Sequence, residues 1–279
     1  MVTIIRKTTY FLMQFGVIRL ISIPFIAFGN LLRKERINYT LDRRKKLERL
    51  ILENYLHNNL KVISGPFKGM EYPSFKSFTS TIIPKLIGTY ESEIYNDIES
   101  LAKDNSYDNV IVIGAADGYY AVGLALLMPQ VKIVSYDANP EALNFCKEFK
   151  EKNNATNLDI RGVFLDDTMD EFKQKRNLVV CDVDGFEYGL FTNENFISSI
   201  GISDVIVETH DYIDKRITQM ILDQLSETHD NKVIPYKPLK LDELPESIFK
   251  NTNNELKRVA TLERIVDNKW IIARANSKG

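Results

Sequence analysis

Cysteine is scarce in this 279-residue chain: only Cys146 and Cys181 occur, and their spacing matches no metal-binding motif. That excludes a disulfide framework and a thiolate metal cluster, and a reduced, cytoplasmic chain is the expectation. The two thiols are expected in a helix and a strand. Net charge is nearly absent as well, at −2. There is no internal repeat and no low-complexity tract. A clean long apolar run is also missing. Tyr10 to Leu32 comes nearest, but Gln14 and Arg19 lie inside it and Pro24 interrupts it. A central arginine costs about 2.5 to 3.5 kcal/mol on insertion scales, which disfavours a transmembrane span. No small-residue cleavage site precedes the basic stretch, so a signal peptide is not expected.

The small net charge hides a strong asymmetry. Residues 1–50 carry eleven Lys and Arg against three Asp and Glu, which leaves 25 against 35 for the remainder. Three regions follow: a basic, partly apolar helical extension over 1–60, a connecting or cap region over 61–108, and a main domain over 109–279. The extension, with Arg33, Lys34, Arg36 and Arg43 to Lys46, suits contact with the inner face of an anionic membrane. The competing reading is an apolar face that caps the domain beside a solvated basic run. Nucleic acid is not an expected partner, because the basic residues are not interleaved with aromatic stacking groups and the domain is acidic.

The information is concentrated between Val110 and Asp137. Four consecutive aliphatics, Val110 to Ile113, suit a strand covered on both faces. Gly114 and Gly118 bracket a tight turn over which a ligand could lie close to the backbone. Ala121 to Leu127 continues as an apolar helix that stops before Pro129. A second strand, Val131 to Tyr136, ends in Asp137. In a right-handed crossover both strand ends lie on one sheet edge, so Asp137 faces the glycine turn and can accept two ribose hydroxyls.

Glycine spacing separates two ligand classes. A dinucleotide site wants G-x-G-x-x-G, whereas Ala116 and bulky Tyr119 occupy the second and third of those positions here. S-adenosylmethionine carries no phosphate and tolerates the looser G-x-x-x-G. A crossover unit without any ligand is the structural alternative.

Four ordered segments sharpen the picture: Ile113 to Tyr120, Tyr136 to Ala142, Cys181 to Glu187, and Val205 to His210. Together they resemble class I S-adenosylmethionine-dependent methyltransferases, most closely the FkbM-type family, whose D-V-E-G-x-E and E-x-H are matched by the last two. The pattern departs at Val112, commonly acidic, and at Ala116, commonly glycine. Contact to the methionine amino group would then fall to Asp117 or Asp182. The resemblance implies a Rossmann-like α/β sheet of order 3-2-1-4-5-7-6 with the last strand antiparallel. It also implies a cofactor site of Gly114, Ala115, Ala116, Asp117, Gly118, Tyr119, Asp137, Ala138, Asn139, Gly162, Val163 and Asp182. Gly162 and Val163 either lie against the adenine or, in the plainer reading of the glycine, belong to an ordinary loop.

Later elements follow in alternation: a helix from Asn139-Pro140 to about Lys152, and strands at Leu158 to Val163, Leu178 to Asp182, Val205 to Thr209, Val233 to Tyr236 and Trp270 to Ala273. A short helix over Asp167 to Lys175 precedes the fourth strand. Upstream, Leu41 to Leu60 has helical periodicity, and Pro84 to Tyr95 opens a helix toward Leu101. In that element Lys85, Tyr90 and Glu91 are either surface groups or a cap over the cofactor.

Methyl transfer is an in-line displacement that needs alignment and exclusion of water, and a hydroxyl acceptor needs a base. Asp182, Asp184, Glu187, Glu208 and His210 follow the fourth and fifth strands. His210 is the preferred base, held by a neighbouring carboxylate such as Glu208. The plainer reading of Glu187 is a helix-start acid. Asp182, Asp184, Glu208 and His210 could instead bind Mg²⁺ or Mn²⁺. The resemblance points to a sugar hydroxyl of a glycan, polysaccharide precursor or related small acceptor. Two other functions compete: a non-catalytic scaffold of the same fold, and a nucleotide-sugar or NAD-dependent enzyme, which Tyr119 disfavours.

Overall fold

The computed structural model describes residues 41–78, 80–104, 106–165, 167–263 and 268–276. The apolar stretch at 10–32 and most of the basic segment lie outside them. Among the described residues, no helix is long and apolar enough to cross a membrane. The chain divides into two compact units, residues 1–51 and 52–279. The described part of the first belongs to a helix over 41–54 (α1), in which Arg44 donates to Glu48 one turn on, at 3.1 Å.

The second unit is built on a seven-stranded sheet. Its strands are β1 Asn109–Ile113, β2 Lys132–Tyr136, β3 Leu158–Arg161, β4 Asn177–Cys181, β5 Asp204–Thr209, β6 His229–Pro235 and β7 Lys269–Ala275. Their order is β3-β2-β1-β4-β5-β7-β6. The first five pair in parallel. β7 runs antiparallel to both β5 and β6. This is the Rossmann-like class I methyltransferase sheet expected from the sequence.

Every residue of β1, β4 and β5 is buried, as the centre of a doubly covered sheet demands. Alternation sends Ile111, Ile113, Val179, Cys181, Val205 and Val207 to one face. There they form one core with residues of helices α6 (Glu187–Phe191), α7 (Glu194–Ile200) and α8 (Ile217–Leu225). Val110, Val112, Val180 and Ile206 are buried on the opposite face. At about 25 cal/mol per Å² of apolar area, burial on both sides makes these strands the main store of stability.

Helix α4, Tyr119–Leu127, ends before Pro129. Helix α5, Pro140–Lys152, is capped by Asn139, whose side chain accepts from the Glu141 amide. Three expectations need correction. The predicted helix from Pro84 toward Leu101 is broken into α2 (Ile82–Ile87), a 3-10 turn at Ser92–Ile94 and α3 (Tyr95–Ala102). Gly88, at φ 72°, closes α2 against the Ser64 carbonyl, which would stand 2.0 Å from a Cβ there. β3 stops at Arg161, which leaves Gly162 and Val163 on a loop. The segment predicted as a helix over Asp167 to Lys175 forms only a 3-10 turn, Thr168–Phe172.

Candidate active site

The carboxyl ends of β1, β2 and β4 open onto a cavity of about 490 Å³. Gly114, Ala116, Asp137, Ala138, Asn139, Val163, Asp182 and Asp184 line it, joined by Phe78, Tyr136, Phe164 and Phe186. Among the described residues no lysine or arginine lines the cavity, whereas three carboxylates do.

The loop after β1 is shaped by its own packing. At Gly114 (φ 83°) a Cβ would lie 1.7 Å from the Asp182 carbonyl, so its bareness admits the neighbouring β4 backbone rather than a ligand. Gly118 (φ 93°) would drive a Cβ to 2.6 Å from Cys146 Sγ. Between them Ala116 takes φ 44°, a left-handed conformation uncommon for a residue with a side chain. Its amide donates to Asp137 Oδ2 at 2.7 Å, while the Asn139 amide donates to Oδ1 at 2.7 Å. An ionised carboxylate has about four acceptor sites, so Asp137 retains capacity on its cavity side.

Not all predicted cofactor residues meet the cavity. Ala115, Asp117, Gly118, Tyr119 and Gly162 do not line it. The Tyr119 side chain turns into the core, with its ring 5.1 Å from Phe67 and 5.4 Å from Tyr90. The Gly162 carbonyl instead accepts from the Asp137 amide at 3.2 Å. Asp117 is committed elsewhere. Lys85 Nζ contacts both of its oxygens, at 2.9 and 2.8 Å, and Ser77 Oγ donates to Oδ2 at 2.5 Å. Lys85, Tyr90 and Glu91 are therefore buried, not surface groups. Tyr120 donates its hydroxyl to Glu91, which sits at φ 56°. Phe78 carried no sequence signal, whereas Phe164 and Phe186 adjoin motifs already singled out.

Behind the Asp182 edge lies His210, at 2% exposure. Its Nδ1 is 2.6 Å from Glu187 Oε1, and Glu187 is itself fully buried. Glu187 is thus more than the helix-start acid of its plainer reading, and it, rather than Glu208, orients the ring. On the other side, Nε2 is 3.6 Å from Asp182 Oδ1, 3.5 Å from Asp184 Oδ1 and 3.5 Å from Glu208 Oε2. Asn268 Nδ2 in turn donates to Glu208 Oε1 at 3.1 Å. Burial opposes the imidazolium, but the hydrogen bond and charge of Glu187, with Glu208 and Asp184, prevail and raise the His210 pKa above its ordinary value. Asp182 is pushed well above the usual carboxylate range by burial and then by the charges of Glu208 and Glu91.

Neither a family model nor a curated protein matches this sequence. Solved methyltransferases superpose on part of it. The Bacillus cereus O-methyltransferase in complex with SAH is 11% identical, with 64% of this chain and 79% of that one covered and a TM-score of 0.41. For the O-methyltransferase TomG of Streptomyces achromogenes, in complex with SAM, the values are 11%, 63%, 78% and 0.42. For the precorrin-6y C5,15-methyltransferase of Geobacter metallireducens they are 13%, 65%, 88% and 0.42. The class I fold assignment rests on the strand order of the molecule itself.

Proposed function

We propose that the chain is an S-adenosylmethionine-dependent O-methyltransferase acting on a sugar hydroxyl of a glycan, a polysaccharide precursor or a related small acceptor. The observation that carries this reading is the charge of the cavity. Asp137, Asp182 and Asp184 line it, and no lysine or arginine among the described residues does. A pyrophosphate would meet repulsion there, whereas a sulfonium would meet attraction. This disfavours an NAD-dependent or nucleotide-sugar enzyme.

In the transfer, the acceptor oxygen attacks the methyl carbon while the carbon–sulfur bond breaks and its electron pair returns to sulfur. The hydroxyl proton passes to His210 Nε2. Glu187, accepting from Nδ1–H, selects the tautomer whose Nε2 lone pair is free for that proton. Because Asp182 and Asp184 flank both Nε2 and the cavity, the acceptor enters along that edge. The sugar hydroxyl is supported by the sequence resemblance and by a carboxylate set able to accept from several hydroxyls.

The same groups support a second reading. Single ligand atoms of Asp182, Glu208 and His210 lie within 4.8 Å of one another, and a metal-bound imidazole ordinarily gives its other N–H to a carboxylate, as Glu187 accepts here. Asp182, Glu208 and His210 would hold Mg²⁺ or Mn²⁺, with Asp184 beside them, and a bound cation would acidify an acceptor hydroxyl.

Calorimetric titration tests the proposal: S-adenosylmethionine and its demethylated product are expected to bind, and NAD is not. Failure of both adenosyl ligands to bind would leave the non-catalytic scaffold as the better reading.

A further inference from the structure

Three aromatic side chains are exposed among the described residues: Phe186 at 63%, Tyr188 at 36% and Tyr212 at 56%. Phe186 and Tyr212 sit on the loops that leave β4 and β5, the same loops that supply Asp182, Asp184 and His210, and Tyr188 follows in the first turn of α6. Elsewhere the aromatics of the described residues are covered, so this clustering marks one place on the molecule.

Two of the rings stand beside the reactive groups. Tyr212 stands edge-on to His210 with centroids 5.8 Å apart. Phe186 lines the cavity beside Asp184 and lies over Gly189, where a Cβ would be 3.4 Å from its ring. Ile213, 52% exposed, packs over Gly185. Tyr188 carries the Arg216 guanidinium 4.9 Å from its ring centroid. The Asp184 side chain, 69% exposed, stands beside His210 and shares the cavity lining with Phe186. Exposed apolar faces thus lie close to carboxylate acceptors.

We propose that Phe186 and Tyr212, extended by Ile213 and Tyr188, form the acceptor platform, and that its occupant is a pyranose ring. A pyranose presents a flat C–H face and an equatorial rim of hydroxyl donors. The face covers an aromatic ring and removes apolar surface from water, while adjacent hydroxyls donate to Asp182 and Asp184. Charge decides against the other candidates. An anionic membrane surface would be repelled by Asp182 and Asp184. A simple phenol offers one donor where two carboxylates flank the site, and would leave acceptors unused. The platform rests on the methyltransferase reading for the identity of its reaction, but not for its ability to bind.

The test uses the full chain saturated with S-adenosylhomocysteine, the demethylated product. Saturation-transfer NMR is recorded with the methyl pyranosides of glucose, galactose and mannose, with catechol as the aryl control. At least one pyranoside is expected to give transfer to ring C–H protons on one face. Phe186→Ala and Tyr212→Ala should each weaken that binding roughly tenfold, about 1.4 kcal/mol, with Tyr212→Phe close to the parent. S-adenosylhomocysteine affinity should stay unchanged in both Tyr212 variants, which also certifies their folding, and an unchanged urea unfolding midpoint certifies that of Phe186→Ala, whose ring borders the cofactor cavity. Three results overturn the platform: no transfer to any pyranoside, equal transfer in the alanine variants, or transfer to catechol alone. Loss of S-adenosylhomocysteine binding by the parent chain would instead count against the methyltransferase reading, since pyranoside binding can be read without it.

Discussion

Replacing Glu187 with glutamine isolates the contact on which the base depends. The two atoms are 2.6 Å apart, and both side chains are almost wholly removed from solvent. A hydrogen bond to a charged group contributes about 1.5 to 3 kcal/mol. The neutral amide should therefore lower the His210 pKa, because the hydrogen bond and charge of Glu187 are what raise it against burial. The chain has only three histidines, His57, His210 and His229, so an imidazole nitrogen NMR titration can follow each one. His229 is a convenient reference, because burial lowers its pKa while its ring N–H donates to the Ser203 carbonyl. Stability should follow the same sign. A histidine whose folded pKa exceeds its unfolded value of about 6.5 stabilises fully below that pH, and loses the contribution as pH rises through the folded pKa. Glu187→Gln should therefore cost most in mildly acidic solution and less in alkaline solution, as measured by urea unfolding at both. An unmoved His210 titration, or a cost that grows with pH, would refute the proposed pairing.

Other variants probe separate parts of the site. Asp137→Ala should weaken S-adenosylmethionine binding by about 2 to 4 kcal/mol, because it removes charge-assisted hydrogen bonds and frees two loop amides; unchanged calorimetric affinity would move the ribose elsewhere. His210→Ala should abolish turnover while leaving cofactor affinity nearly intact, with full activity assigning the base to another group. Lys85→Met strands Asp117 in the interior and should cost about 3 to 5 kcal/mol, whereas Lys85→Met combined with Asp117→Leu should recover much of it; denaturant midpoints decide. If a cation occupies the acid cluster, Mn²⁺ should bind with a paramagnetic resonance signature that Asp182→Asn weakens, and an unchanged signature would place the metal elsewhere.

Much of the fold was legible because its signals are local. Val110 to Ile113 can be buried on both faces only as a central strand, Asn139-Pro140 has the chemistry of a helix start, and Pro129 forbids continuation of α4. Ends set by distant contacts were harder. Gly88 breaks the predicted helix because Ser64 lies against it, some twenty residues away in sequence. The resemblance makes Tyr119 a cofactor neighbour, yet its side chain finds Phe67 and Tyr90 in the core. The site was partly visible for the same reason. Asp137, Asp182, Asp184 and His210 fall at strand ends, where a parallel sheet gathers them, whereas Phe78 arrives from the connecting region and bears no local mark.

Composition and periodicity alone determined the alternating α/β pattern, the carboxylate after the second strand and the set of acids after the fourth and fifth. These follow from short-range backbone preference and from which residues must leave water. Tertiary structure alone decided which carboxylate holds the imidazole, that Lys85 neutralises Asp117 in the interior, and that three carboxylates gather around one cavity. Such pairings depend on distances of a few ångströms between residues far apart in the chain, where Coulomb energy and desolvation vary most steeply and sequence spacing carries no record of them.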